Sequence, residues 1–303
     1  MSGQYSWLAG HMGGPGNPYQ RALQTVAAIV GECEGTEMIV SHSGTLGSEE
    51  EMLQMLLTGR QQAMVGTSAS LRRLCPELLM CDLPFLFQSR PQFYLLSDHL
   101  LQPAYSNRLL EKGVRLLAMM EGGWRDLFNA RRPIHTPADM GGLRMRTMDN
   151  PVHQAAIEAL GAVPVVLSTQ ESYRALQTGA IDGGDRAAYN YMDYGYQKAA
   201  PYYCKIGIFM VASYLILSEE WFQSLSQETR GKLLSAAVAI AQRERDDYCL
   251  MDGLAYEAMV RENITITRPD REAFRIKTEV VWEPFLVQTE SAGLLQQIKA
   301  WKV

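Results

Sequence analysis

Two arginines stand two residues apart in Leu143-Arg144-Met145-Arg146-Thr147-Met148, and the alternation of apolar and polar residues there predicts a strand with two unlike faces. A period of two puts Arg144 and Arg146 on one face, pointing away from Leu143 and Met145. Asn150 and Pro151 then supply an N-cap and a first helical residue, and Gly161 ends that helix. Val163 to Leu167 reads as a second, buried strand. Ser168 with Glu171 forms a capping box for a helix that stops at Thr178-Gly179. A strand that aims a guanidinium at its tip, beside a capped helix N-terminus, can hold an anion from two directions. The competing reading makes both arginines solvated charges at a sheet edge.

Chemistry beyond anion binding finds little in the sequence. There is no G-x-S-x-G elbow, phosphate-binding P-loop, G-x-G-x-x-G or H-E-x-x-H. His11, His42, His99, His135 and His153 show no metal-ligand spacing and read as structural rather than metal-binding. No residue pair offers an activated nucleophile or a matched acid and base, so no catalytic residue, metal or cofactor is expected. A net charge of -5 argues against nucleic acid as the main partner. With 303 residues, 47% hydrophobic and 20% charged, the chain has room for two globular domains. No apolar run reaches the ~18–20 residues needed to cross a bilayer. The opening MSGQYSW lacks a basic region followed by an apolar one, which leaves either a cytosolic protein or one whose signal peptide has been removed. Cys75 and Cys81 are spaced to close a small disulfide loop, but buried or free thiols fit the spacing equally, and Cys33, Cys204 and Cys249 leave at least one thiol unpaired.

The elements that must position these arginines read as α/β throughout. Trp7 to Met12 is a first strand, followed by a turn at Gly13-Gly14-Pro15-Gly16 and a helix from Pro18 to Cys33 with Leu23, Val26, Ala27 and Val30 on one face. Met38 to Val40 is a short strand. Ser48 and Glu51 cap a helix ending at Thr58-Gly59, and Gln62 to Gly66 is strand-like. Pro84 keeps Cys81 to Phe87 extended. A helix over Arg90 to Lys112, a strand over Val114 to Met120 and a flexible turn at Gly122-Gly123-Trp124-Arg125 follow. After Arg186 come a tyrosine-rich helix over Ala188 to Ala200 and a buried strand over Ile206 to Leu217. The stretch from Ser226 to Asn263 is helix-forming almost without a break. At about 55 Å it must bend at Gly253 or run across two lobes.

Ser48, Glu51, Thr58 and Gly59 recur at a constant offset as Ser168, Glu171, Thr178 and Gly179. Two lobes built on one plan, with a cleft between them, account for that recurrence better than chance capping boxes do.

The segments Gly44-Thr-Leu-Gly-Ser-Glu49, Leu83-Pro-Phe-Leu-Phe87, Gly123-Trp-Arg125, Arg132-Pro-Ile-His-Thr-Pro-Ala-Asp139, Gly142-Leu-Arg-Met-Arg146, Ala175-Leu-Gln-Thr-Gly-Ala-Ile-Asp-Gly183 and Leu217-Ser-Glu-Glu-Trp221 carry a resemblance in their order and spacing. The whole chain resembles the solute-binding proteins of TRAP (tripartite ATP-independent periplasmic) transporters. That implies a two-lobed α/β periplasmic-binding-protein-like fold, type II-like, with lobes joined by crossing strands and a long helix and closing on an organic acid. The expected lobes are 1–124 with 210–253 and 125–209 with 254–303, the ligand cleft lying between them. The resemblance also implies a periplasmic location, a signal peptide removed, and delivery of the ligand to a membrane permease. It assigns the carboxylate clamp to Arg146, assisted by Arg125. The candidate ligand-binding set is Arg146, Arg125, Arg186, Asp185, Thr169, Trp124, Thr67, His11 and Tyr189.

The sequence departs from the family pattern at two places. Asp185-Arg186 stands where Glu-Asn is usual, and Thr169 stands where a Phe often packs on the ligand. A more polar and cationic pocket follows, suited to a second carboxylate or a polyhydroxylated acid, unless Asp185 simply neutralises Arg186. Two other classes stay open: a sensor that reports occupancy to a receptor, and an enzyme on a similar two-lobed fold.

Overall fold

A computed structural model of the chain describes residues 6–289 and 291–301. Met1 to Tyr5, on which part of the targeting argument rests, lie outside the described residues. The strands are β1 (Trp7–Gly10), β2 (Met38–Ser41), β3 (Ala63–Thr67), β4 (Val114–Asn129), β5 (Arg144–Thr147), β6 (Val163–Val166), β7 (Gly183–Arg186), β8 (Tyr202–Ser218) and β9 (Thr265–Thr267). The chain forms two compact units, one of residues 1–78, 94–122 and 212–247, the other of 79–93, 123–211 and 248–303. Strands β4 and β8 and the helix Gln227–Arg261 each continue from one unit into the other.

In the first unit, β1 pairs in parallel with β2 and β3, and β8 runs antiparallel to β3 from Ala63↔Leu217 to Thr67↔Ser213. The helix Pro18–Glu34 starts where the Asn17 side chain accepts the Tyr19 N–H and ends at Gly35, whose φ is 66°. Its face of Ala22, Leu23, Val26 and Val30 is buried in a core with Ala63, Leu215, Trp221 and Leu233. In the second unit, β5 pairs in parallel with β6 and β7, and β4 runs antiparallel to β7 from Asp126↔Arg186 to Asn129↔Gly183. Strand β9 pairs in parallel with β8 at Tyr202↔Thr265. Its core gathers Phe128, Leu176, Ile181, Tyr191, Tyr196 and Tyr203.

The two units share one plan, as the recurring caps suggest. Each has three parallel strands with the first in the middle and a fourth, antiparallel strand beside the third. The helices Glu49–Leu57 and Thr169–Gln177 match in length, in their capping boxes at Ser48 and Ser168, and in their Thr58 and Thr178 C-caps.

Three local expectations need correction. Gly122 to Arg125 is not a turn but the middle of β4. Gly123, at φ 111°, is needed because a Cβ there would lie 2.6 Å from the Ala187 Cβ. Strand β6 is not buried, since it pairs with β5 alone and leaves Val163 and Val166 at 50% and 45% exposure. The tyrosine-rich helix stops at Asp193, and Gly195 at φ 73° turns the chain into a short 3-10 segment. Of the two alternatives for the long helix, it takes the second: it runs from Gln227 to Arg261, through Gly253, and belongs to both units. The cysteines named above are all free thiols.

Candidate functional site

Strand β5 is interior to its sheet, with β7 on one side and β6 on the other, so its arginines are not edge charges. They part company at their tips. Arg144 is half-buried. Its Nε donates to Asp182 Oδ2 at 3.0 Å and its Nη2 to Asp182 Oδ1 at 2.9 Å and to the Gly179 carbonyl at 2.6 Å. Arg131 reaches the same carboxylate at 2.8 Å. The Arg144 hydrogen bond, working against burial, holds the Asp182 carboxyl far below the usual carboxylate range. Arg144 is therefore a structural tie.

Arg146 is 4% exposed and has no carboxylate partner among the described residues. Its Nε donates to the Leu167 carbonyl at 2.8 Å, just before the Ser168 cap, and its buried Nη1 lacks any hydrogen-bond partner. Burial, then the neighbouring cations Arg186 and Arg125, push its pKa well below the usual guanidinium value, against Asp185 and Tyr196. An arginine stays charged regardless, so the site holds uncompensated positive charge.

Register explains the clustering. Gly184 on β7 faces Arg146, and Asp185 and Arg186 follow it at the strand's end. Gly183 carries no side chain because a Cβ would sit 2.0 Å from the Phe128 carbonyl oxygen of β4, so β7 can lie this close only as glycine. Asp185 is buried and pairs with Arg125, not with Arg186. Burial raises the Asp185 carboxyl, but Arg125, His153 and Arg146 outweigh it and hold it below the usual range. Arg186 is buried too, donating to Thr169 Oγ1 at 3.1 Å and Tyr196 Oη at 3.4 Å, with the Tyr194 and Tyr196 rings each 5.7 Å from its guanidinium. Burial opposes ionisation of Tyr196, yet Arg186 and Arg146 bring its hydroxyl below the usual tyrosine value. Three buried guanidiniums thus cluster beside one buried carboxylate, Asp185, which pairs with Arg125 alone among them.

Sequence reasoning did not single out His153 or Tyr196. Asn150 caps the helix Pro151–Ala159, accepting the N–H groups of Val152 and His153, while its own amide donates to Asp82 Oδ2 at 2.7 Å. That fixes His153 stacked on Phe209, 3.8 Å between centroids, with Nδ1 4.0 Å from Asp185 Oδ2 and Nε2 3.7 Å from Asp82 Oδ1. The available signal was a polar residue on the apolar face of Val152, Ala156 and Ile157. Tyr196 carries no such signal, since its role depends on a turn at Gly195.

Trp124 and Tyr189 have their contacts outside this cluster, and Thr67 and His11 belong to the first unit. Trp124 alternates with Arg125 along β4 and lines a different cavity with Asp126 and Arg271. Tyr189 donates its N–H to Asp252 Oδ1 at 2.8 Å and meets Tyr248 edge-on. In the first unit, Thr67 donates its N–H and hydroxyl to Glu49 Oε2 at 2.9 and 2.8 Å. His11 there is fully buried with Nε2 2.8 Å from Gln20 Oε1, and burial lowers its pKa. Among the described residues no group of His, Cys, Asp and Glu is placed to hold a metal.

The family model described as bacterial extracellular solute-binding protein, family 7 (DctP) matches residues 9–289. A solute-binding protein of Chromohalobacter salexigens is 25% identical over 284 residues, 93% of this chain and 84% of that protein. The 2,3-diketo-L-gulonate-binding periplasmic protein YiaO of Escherichia coli is 28% identical over 235 residues, 76% of this chain and 70% of YiaO. The crystal structure of a TRAP periplasmic solute binding protein from Roseobacter denitrificans with bound β-D-glucuronate has the same fold. It gives a TM-score of 0.92 at 24% identity, covering 98% of this chain and 100% of that one. The chain belongs to bacterial extracellular solute-binding protein family 7, the TRAP solute-binding family.

Proposed function

We propose that this protein captures a sugar acid or a related organic acid outside the cytoplasm, in the periplasm, and delivers it to the permease of a TRAP transporter without transforming it. The observation that carries this reading is Arg146, a buried guanidinium whose terminal nitrogen Nη1 has no partner. A buried charge without a partner is costly, and a carboxylate bound in two-point fashion removes that cost. Arg186, whose hydrogen bonds go to neutral hydroxyls, supplies a second positive centre. Asp185 adds an acceptor, because its buried Oδ1 is unpartnered, and an acceptor beside two cations suits a ligand that bears hydroxyls as well as acid groups. The sugar acids in the names of the Escherichia coli relative and the Roseobacter denitrificans structure support the same chemical class.

The test is a thermal-shift screen of uronates, aldonates, keto acids and dicarboxylates. A ligand at ~100 times its dissociation constant adds about 2.7 kcal/mol to stability, which raises the Tm of a chain this long by several degrees. A screen in which no carboxylate moves the Tm contradicts the proposal.

A further inference from the structure

The second unit holds another cavity, of about 240 Å³, lined by Trp124, Asp126, Lys205, Asp252, Tyr256 and Arg271 among others. Arg146, Arg186 and Thr169 do not line it. Both carboxylates on its wall are engaged. Asp126 accepts the hydroxyls of Tyr203 at 3.0 Å and Tyr256 at 2.6 Å and the N–H groups of Ile206 at 2.8 Å and Gly207 at 2.7 Å. Asp252 pairs with Arg90 and accepts the Tyr189 N–H.

Two cations on the same wall have no carboxylate partner among the described residues. Arg271 donates to the Ile206 carbonyl at 3.0 Å and more weakly to the Gly207 carbonyl at 3.5 Å. The Lys205 ammonium lies 3.7 Å above the Tyr256 ring. Counting Arg90, three cations face two carboxylates, so the wall carries excess positive charge. Tyr256 and Trp124 add aromatic faces to it. At ~30 Å³ per water the space corresponds to about eight waters, below the ~300–1,000 Å³ usual for organic ligands. It fits a small ion with part of its hydration shell.

We propose that this cavity is a second ligand site, separate from the Arg146 site, that takes a small oxyanion of phosphate type. Arg271 offers a planar fork already half-fixed by the strand carbonyls, and Lys205 a point charge held over the Tyr256 ring. A tetrahedral anion accepts from both at once. The same chemistry describes free phosphate and the phosphoryl end of a small metabolite.

Calorimetric titration of the whole protein with inorganic phosphate at low ionic strength tests it, with methyl phosphate as the comparison. Phosphate is expected to bind, Lys205→Gln to weaken it roughly tenfold, and Arg146→Ala to leave it unchanged. Lys205 is exposed, so its loss leaves the fold intact, and the sugar-acid titration should be the same in Lys205→Gln as in the original chain. Methyl phosphate binding comparably identifies a phosphoryl end as the ligand, and its exclusion identifies the free ion. No binding of phosphate, or binding that survives Lys205→Gln but disappears in Arg146→Ala, overturns the proposal.

Discussion

Arg186 stands where the resemblance to the family leads to the expectation of an asparagine. Its guanidinium is not neutralised by the neighbouring Asp185, which Arg125 takes instead. Arg186→Asn should therefore weaken a diacid by roughly tenfold more than a monoacid, since it removes one charge-assisted contact of about 1.4 kcal/mol. Competition titrations with both ligand classes read this directly, and equal losses would remove Arg186 from recognition. Asp182 makes the opposite case, a carboxylate held for structure. Its folded pKa is depressed, so its contribution is complete above the unfolded value near ~3.9 and is lost as the pH falls through the folded value. Asp182→Asn should cost about 1–2 kcal/mol at pH 7, discounted because Arg131 and Arg144 reach solvent. The gap to the original chain should narrow below about pH 4, and urea unfolding at pH 7 and pH 3 that gives equal gaps would contradict this. The clustering of Arg146 with a helix cap was legible, because period and capping are local. The partners of Asp185 and Arg186 were not, because Arg125 and Tyr196 reach them only through strand pairing and a turn.

At the scale of elements, the capping boxes carried the most information. Ser168 Oγ accepts the Glu171 N–H at 3.2 Å while Glu171 Oε2 accepts the Ser168 N–H at 2.9 Å. That cap fixes the residue after Leu167, whose carbonyl orients Arg146. Ser168→Ala should cost about 1 kcal/mol of stability and also weaken acid binding. Ser48→Ala, in the matching helix of the other unit, should cost similar stability. Chemical denaturation and titration of both variants separate the effects, and unchanged binding in Ser168→Ala would show that the cap does not support the clamp. The same local logic located the helix ends at Gly59, Gly161 and Gly179. It failed at β4, where glycines that permit close packing imitate a turn, and at β6, where an apolar run occupies an edge. Composition reports that a strand is apolar, not how many neighbours it has.

At the scale of the whole molecule, both units repeat one arrangement of strands, and the repeated Ser-Glu-Thr-Gly set marks it in the sequence. The two copies have diverged where it matters: the position of Thr169 is Glu49 in the first unit, and that of Arg186 is Gly66. Glu49 is turned inward to Thr67, its carboxyl raised by burial, whereas the Thr169 end faces a buried arginine. The family and its fold were legible from ordered motifs spread over the chain. The ligand was not, because which buried donors lack partners appears only in three dimensions. The central claim is that one such donor set, on Arg146, holds the ligand carboxylate. It is tested most directly by calorimetric titration of the original chain, Arg146→Ala, Arg146→Lys and Arg144→Ala with the acid that gives the largest thermal shift. Arg146→Ala should lose about 3–5 kcal/mol, a hundred-fold to several-thousand-fold in Kd. Arg146→Lys should fail nearly as badly for want of the planar fork, and Arg144→Ala should bind within a few-fold of the original chain. Equal losses at Arg144 and Arg146, or full affinity without Arg146, would contradict the account.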